Sequence, residues 1–144
     1  MKSMVNSSVT LHLTPKTAIS GGNYAQTAEV IVSSAKNGGQ DSWFKSLSMS
    51  KLRGIYGLIT NVYTRVNKPE DLEANMGDLQ YIKVKMAYEA GREKAVKDFL
   101  SSTGLMNALD DVKTYDQFIL YCRYAESLVA YFKFYGGREY GGRE

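Results

Sequence analysis

Apolar residues fall into two regimes along this chain. Through the first 45 residues they are scattered among Ser, Thr, Gly and Asn. Residues 9–13 alternate apolar and polar, the period of a short strand with one covered face. Residues 24–35, bracketed by Gly21-Gly22 and Gly38-Gly39, have the length of a brief helix. Neither piece carries enough apolar surface to fold alone. Residues 1–45 therefore read as a flexible arm, disordered or ordered only by a partner.

From Ser48 the period changes. Leu52, Ile55, Tyr56, Ile59, Val62, Tyr63 and Val66 recur at i, i+3, i+4 and i+7, which predicts an amphipathic helix capped by Ser48 or Ser50. Pro69 stops it and opens a second helix, with Glu70 and Asp71 at the positive end. That helix runs to about Ala90, and Gly77 marks where it could be interrupted. Leu79, Ile82, Met86 and Ala90 share one face, and Tyr81, Val84 and Tyr88 the opposite one. Residues 81–94 thus have two apolar faces with lysines on the seams, the pattern of a helix wedged inside an assembly. Gly91 is expected to end or kink it, because a continued helix would carry Glu93 into the apolar stripe.

A short helix follows with Ala95, Val96, Phe99 and Leu100, stopped at Gly104. Leu105, Leu109 and Val112 mark another. Thr114 and Gln117 form a capping box for a long last helix that is apolar nearly all round, with charge confined to Asp116, Arg123, Glu126 and Lys133. Gly136-Gly137 ends it, and the repeated Gly-Gly-Arg-Glu at 136–139 and 141–144 reads as a flexible tail. The predicted fold is all-α: a compact bundle of about five helices over residues 46–135, with the arm before it and the tail after it.

Composition narrows function by exclusion. The 144 residues are 44% hydrophobic, enough for one core, and the net charge of +3 gives no bulk argument for nucleic acid. Any electrostatic footprint must come from placement. One cysteine, Cys122, permits no internal disulfide, and no apolar run approaches a bilayer span, so the expected setting is cytoplasmic. His12, the one histidine, lies in the arm, and no Cys/His set has metal-ligand spacing; no catalytic residue, metal or cofactor is expected. Cys122 falls on a core stripe, where a thiol is inert. Asp110 and Asp111 diverge by about 100° on a helix and suit a solvated end better than an acid pair.

The cations leave alternatives open. Lys51 and Arg53 open the first long helix, Lys83 and Lys85 flank the Leu79/Ile82/Met86 stripe, and Arg92 and Lys94 follow the expected break. Such positions suit phosphate contacts, which need charge and reach rather than base edges. They also suit lysines snorkelling into water, or i, i+3 pairs such as Arg92 with Glu89 and Arg123 with Glu126. Gly54, Gly57 and Asn61 form a small back face that could admit a phosphate backbone or a neighbour, or face solvent.

Ser-Lys-Leu-Arg at 50–53, Tyr-Ile-Lys-Val-Lys-Met-Ala-Tyr-Glu-Ala-Gly-Arg-Glu-Lys at 81–94, Asp-Phe-Leu at 98–100 and Tyr-Cys-Arg-Tyr-Ala-Glu-Ser-Leu-Val-Ala-Tyr at 121–131 resemble, in kind and order, the small subunit of the type III-A CRISPR (Csm) effector complex. The resemblance covers roughly 46–135. It implies a helical, non-catalytic subunit in antiviral defence, stacked in several copies beside the other Csm subunits. Those copies line the groove in which guide RNA pairs with target RNA. It assigns target-RNA cleavage to the backbone subunits, and DNase and cyclic-oligoadenylate chemistry to the large subunit. Carried over by motif, Lys51, Arg53, Lys83, Lys85, Arg92 and Arg123 are the implied RNA-contacting cations, reading phosphates rather than sequence. The rival reading is a helical protein–protein adaptor without direct RNA contact.

Overall fold

The computed structural model describes residues 5–39 and 42–139. In chain order it runs β1 (Thr10–Thr14), β2 (Thr17–Ser20), α1 (Tyr24–Lys36), α2 (Trp43–Ser46), α3 (Met49–Tyr63), α4 (Pro69–Ala74), α5 (Met76–Arg92), α6 (Lys94–Thr103), a 3₁₀ turn (Asn107–Asp111) and α7 (Tyr115–Phe134). Helix α7 is the hub, packed against α1, α3, α4 and β1. Its start is the capping box: the Thr114 hydroxyl accepts from the Gln117 N–H at 3.1 Å, and the Gln117 side chain accepts in return from the Thr114 N–H at 3.2 Å. Phe118, Ile119, Leu120, Tyr121, Tyr124, Ala125, Leu128 and Phe132 are all buried, so nearly the whole circumference is covered.

Two of its buried tyrosines need partners for their hydroxyls, and both find them at the end of α6. Tyr121 donates to the Leu105 carbonyl at 2.7 Å and Tyr124 to the Thr103 carbonyl at 2.6 Å. Burial raises both phenols above their usual range, keeping them neutral donors.

The all-α class stands, with seven α-helices among the described residues and one two-stranded hairpin beside them. The main departure from expectation is the arm. Strand β1 pairs antiparallel with β2, Leu11 opposite Ile19. Leu11, Leu13 and Ile19 are buried, as are Ala28 and Val32 of α1 and Trp43 and Phe44 of α2. None of these pieces closes a core by itself, and each completes one already present. Trp43 meets Phe99 edge-on at 5.0 Å between centroids, and Phe44 lies 5.0 Å from Phe132. Residues 5–39 are thus packed on the bundle rather than loose. Residues 1–4 and 40–41 of the expected arm lie outside the described residues.

Smaller departures have local causes. The second long helix is interrupted at Asn75 rather than Gly77, where the Asn75 side-chain amide donates to the Asp71 carbonyl at 2.7 Å. Helix α5 passes through Gly91 and ends at Arg92; extended Glu93 (φ −138°, ψ 125°) makes the break, as the carboxylate that could not enter the apolar stripe. The piece around Leu109 is a 3₁₀ turn.

The tail also differs from expectation as far as Glu139. Gly136 takes a φ of 91°, and Gly137 lies so close to the Phe132 ring that a side chain there would collide with it. The chain then lies along the start of α3: the Met49 N–H donates to the Arg138 carbonyl at 2.6 Å and the Ser50 N–H to the Glu139 carbonyl at 2.9 Å. Ser48 supplies the N-cap of α3, its hydroxyl accepting from the Lys51 N–H at 3.1 Å. Residues 140–144, with the second Gly-Gly-Arg-Glu, lie outside the described residues.

Candidate nucleic-acid interface

Helix α5 sends its two lysines to opposite sides of its buried stripe, as the spacing required. Lys83 reaches the 3₁₀ turn and pairs with Asp110 at 2.5 Å. Lys85 turns toward α3 and, together with Lys51, lines a cleft of about 470 Å³. Gly54, Ile55 and Leu58 of α3, Glu89 and Glu93 beyond Lys85, and Arg138 of the tail also line it, with serines at the start of α3.

Lys51 and Lys85 differ in electrostatic state. Lys51 is half-buried and donates to Glu89 at 3.1 Å, with Glu93 at 3.2 Å. Those two carboxylates, Glu89 first, hold its ammonium above the usual lysine range. Lys85 is exposed and has no carboxylate partner among the described residues; its ammonium sits 5.6 Å from the Tyr81 ring centroid.

The remaining cations are dispersed. Arg53 is exposed and pairs with Glu139 at 3.6 Å, while Glu139 also accepts from Lys133. Arg92 ends α5, 3.7 Å from Glu89 and over the Tyr88 ring. Arg123 is half-buried on α7 and does not line the cleft. Lys94 pairs with Asp98 at 2.6 Å. The six candidate cations therefore do not form one patch: Lys51 and Lys85 meet in the cleft, Arg92 joins Lys51 through Glu89, and Arg53, Lys83 and Arg123 stand apart. The glycine face of α3 is open: beyond the helix's own backbone and the adjoining residues, nothing stands within 4 Å of where a Cβ on Gly54 or Gly57 would be.

Sequence reasoning missed Arg138. Its guanidinium donates to the Ser46 carbonyl at 2.8 Å while its side chain walls the cleft. The preceding Gly-Gly, which the sequence pattern marks as a helix stop, also turns the chain back onto α3.

The residues weighed for catalysis and metal binding have structural surroundings. His12 stands on the exposed side of β1, with its backbone N–H donating to Asp111 at 2.8 Å and its ring Nδ1 3.3 Å from the same oxygen. Asp110 and Asp111 diverge toward Lys83 and His12. Cys122 is buried in α7. No His/Cys/Asp/Glu group among the described residues could hold a metal ion, and none of their helices is long and apolar enough to cross a membrane.

Known proteins match this chain over most of its length. The Csm2 Type III-A family model matches residues 25–138, a span that includes all six candidate cations, helix α1 from its second residue and the start of the tail. A protein of Streptococcus thermophilus named "CRISPR system Cms protein Csm2" is 35% identical over 117 residues, covering 81% of this chain and 94% of its own length. A protein of the same name from Enterococcus italicus is 45% identical over 98 residues, 64% of this chain and 70% of its own. One from Mycobacterium tuberculosis is 31% identical over 121 residues, 78% of this chain and 90% of its own.

Proposed function

Because this chain belongs to the Csm2 family of type III-A CRISPR systems, the small subunit of the Csm complex, we propose that it is a non-catalytic, RNA-contacting member of that cytoplasmic assembly. Copies stack along the groove where guide and target RNA pair, beside the backbone and large subunits. Their cations touch phosphates, and base pairing between the two RNAs supplies sequence specificity. The observation that supports this reading best is that the family match, over residues 25–138, takes in Lys51, Arg53, Lys83, Lys85, Arg92 and Arg123 and the bundle that carries them.

The ion pairs refine how such contacts form. Lys85 is ready to meet a phosphate directly. Lys51, Arg53, Lys83 and Arg92 hold carboxylates in the free chain, so a phosphate must exchange with or outcompete those partners. Individual contacts are therefore weak, and repeated copies along one strand supply the affinity. The near-neutral net charge fits a stacking subunit whose two ends need complementary rather than uniformly positive surfaces.

The test is target-RNA retention by the assembled complex as a function of salt. Replacing Lys51, Arg53, Lys83 and Lys85 with Glu is expected to weaken retention and flatten the salt slope, by about 0.7–0.9 for every phosphate no longer neutralised. Unchanged affinity and slope in an intact complex would leave only the adaptor reading.

A further inference from the structure

The side of α5 turned away from the bundle has a regular chemistry of its own. Leu79, Ile82 and Met86 are buried, whereas Tyr81, Val84 and Tyr88 on the opposite side are 60%, 60% and 63% exposed. At about 100° per residue, Lys85, Tyr88 and Arg92 all lie within about 40° of Tyr81 around the helix, and at about 1.5 Å per residue they extend about 16 Å along it. The order along this line is aromatic, cation, aromatic, cation. The Lys85 ammonium lies 5.6 Å from the Tyr81 ring centroid, and the Arg92 guanidinium carbon 5.6 Å from that of Tyr88. The carboxylates at its edge are already paired, Asp78 with Arg65 at 3.2 Å, and Glu89 with Lys51 at 3.1 Å and with Arg92 of the line itself at 3.7 Å.

We propose that this line is a stacking platform for unpaired bases of an RNA strand. Tyr81 and Tyr88 each take the face of one base, and Lys85 and Arg92 hold phosphates beside them. The inference rests on the reading of the chain as an RNA-contacting subunit and adds a recognition that phosphate contacts do not require. Base–aromatic stacking is indifferent to sequence because every base has a π-face, and it suits rings flanked by cations. The occupant is an unstacked strand, since a paired base already has neighbours on both faces. Seven residues of helix set the two rings about 10 Å apart, about three stacked-base steps. The platforms therefore take bases from separate positions on a splayed strand. Val84 stands beside the line, but cations at two of its four places suit a polyanion better than an apolar partner face.

The probe is a single-stranded 12-nucleotide RNA carrying 2-aminopurine, whose fluorescence is quenched when the base stacks on a ring. The full chain, free and in the assembled complex, is expected to quench it, and the fully duplexed form of the same RNA much less. Tyr81→Leu/Tyr88→Leu is expected to abolish the quench and lower affinity about tenfold or more. Tyr81→Phe/Tyr88→Phe is expected to retain both. An undiminished quench in the leucine pair overturns the platform, as does wild-type binding without a quench. Release of the leucine pair from the complex with quenching by the free chain unchanged assigns the face to a protein partner and also overturns it. Failure of the platform leaves the phosphate reading intact, because that reading is decided separately by the charge reversals and the salt slope.

Discussion

Gly104 and Leu13 stand so close that a Cβ on the glycine would fall 2.6 Å from the Leu13 Cβ and carbonyl oxygen. The glycine also holds the left-handed φ of 71° that closes α6. Helix cap and hairpin packing therefore depend on the same missing side chain. Gly104→Ala is expected to lower unfolding stability by about 2 kcal/mol or more, combining left-handed strain with overpacking. A shift of the urea midpoint at unchanged slope would register it.

Gly54 behaves oppositely. It lies inside α3 with open space around it, so Gly54→Ala should stabilise the chain by about 0.5–1 kcal/mol through helix propensity alone. Measuring target-RNA retention on the same variant then tells whether the bare back face is used: reduced retention by a more stable protein would mean that a strand approaches there.

The buried phenols of α7 anchor the end of α6. Tyr121→Phe keeps the ring and leaves the Leu105 carbonyl without its donor, at a cost of about 1–2 kcal/mol in chemical denaturation. A neutral result would mean that the carbonyl finds another donor.

Acid should loosen the tail. The Lys133 hydrogen bond, joined by attraction from Lys133 and Arg53, lowers the Glu139 carboxyl below its ordinary 4.5. A depressed carboxylate contributes stability fully present above its unfolded value and lost as pH falls through the folded one. The stability difference between wild type and Glu139→Gln should therefore hold constant well above the ordinary carboxylate value of 4.5 and narrow as pH falls below it. A difference that does not narrow at all on acidification would place the effect of the substitution elsewhere.

Helices from Ser48 onward were legible because their own residues carry the period and the caps: Ser48, Pro69, Gly104 and the Thr114/Gln117 box all stand where the pattern put them. The hairpin and α1 were legible as short elements but not as parts of the core, since their buried residues match apolar surface on α6 and α7 that no local window contains. The candidate cations were legible as charges; their states were not. Glu89 and Glu93 meet Lys51 from 38 residues or more along the chain, and Glu139 reaches Arg53 only because Gly136 and Gly137 turn the tail back.

That return of the tail also sets an order in time. Two amides in the first turn of α3 are satisfied by carbonyls of Arg138 and Glu139, and Arg138 grips Ser46 from 92 residues further along. On a ribosome the opening turn of α3 is made early and stays only partly capped until everything through α7 has been synthesised. The subunit completes itself from its far end, so the surface around Lys51 and Arg53 takes its finished form among the last events of its biogenesis.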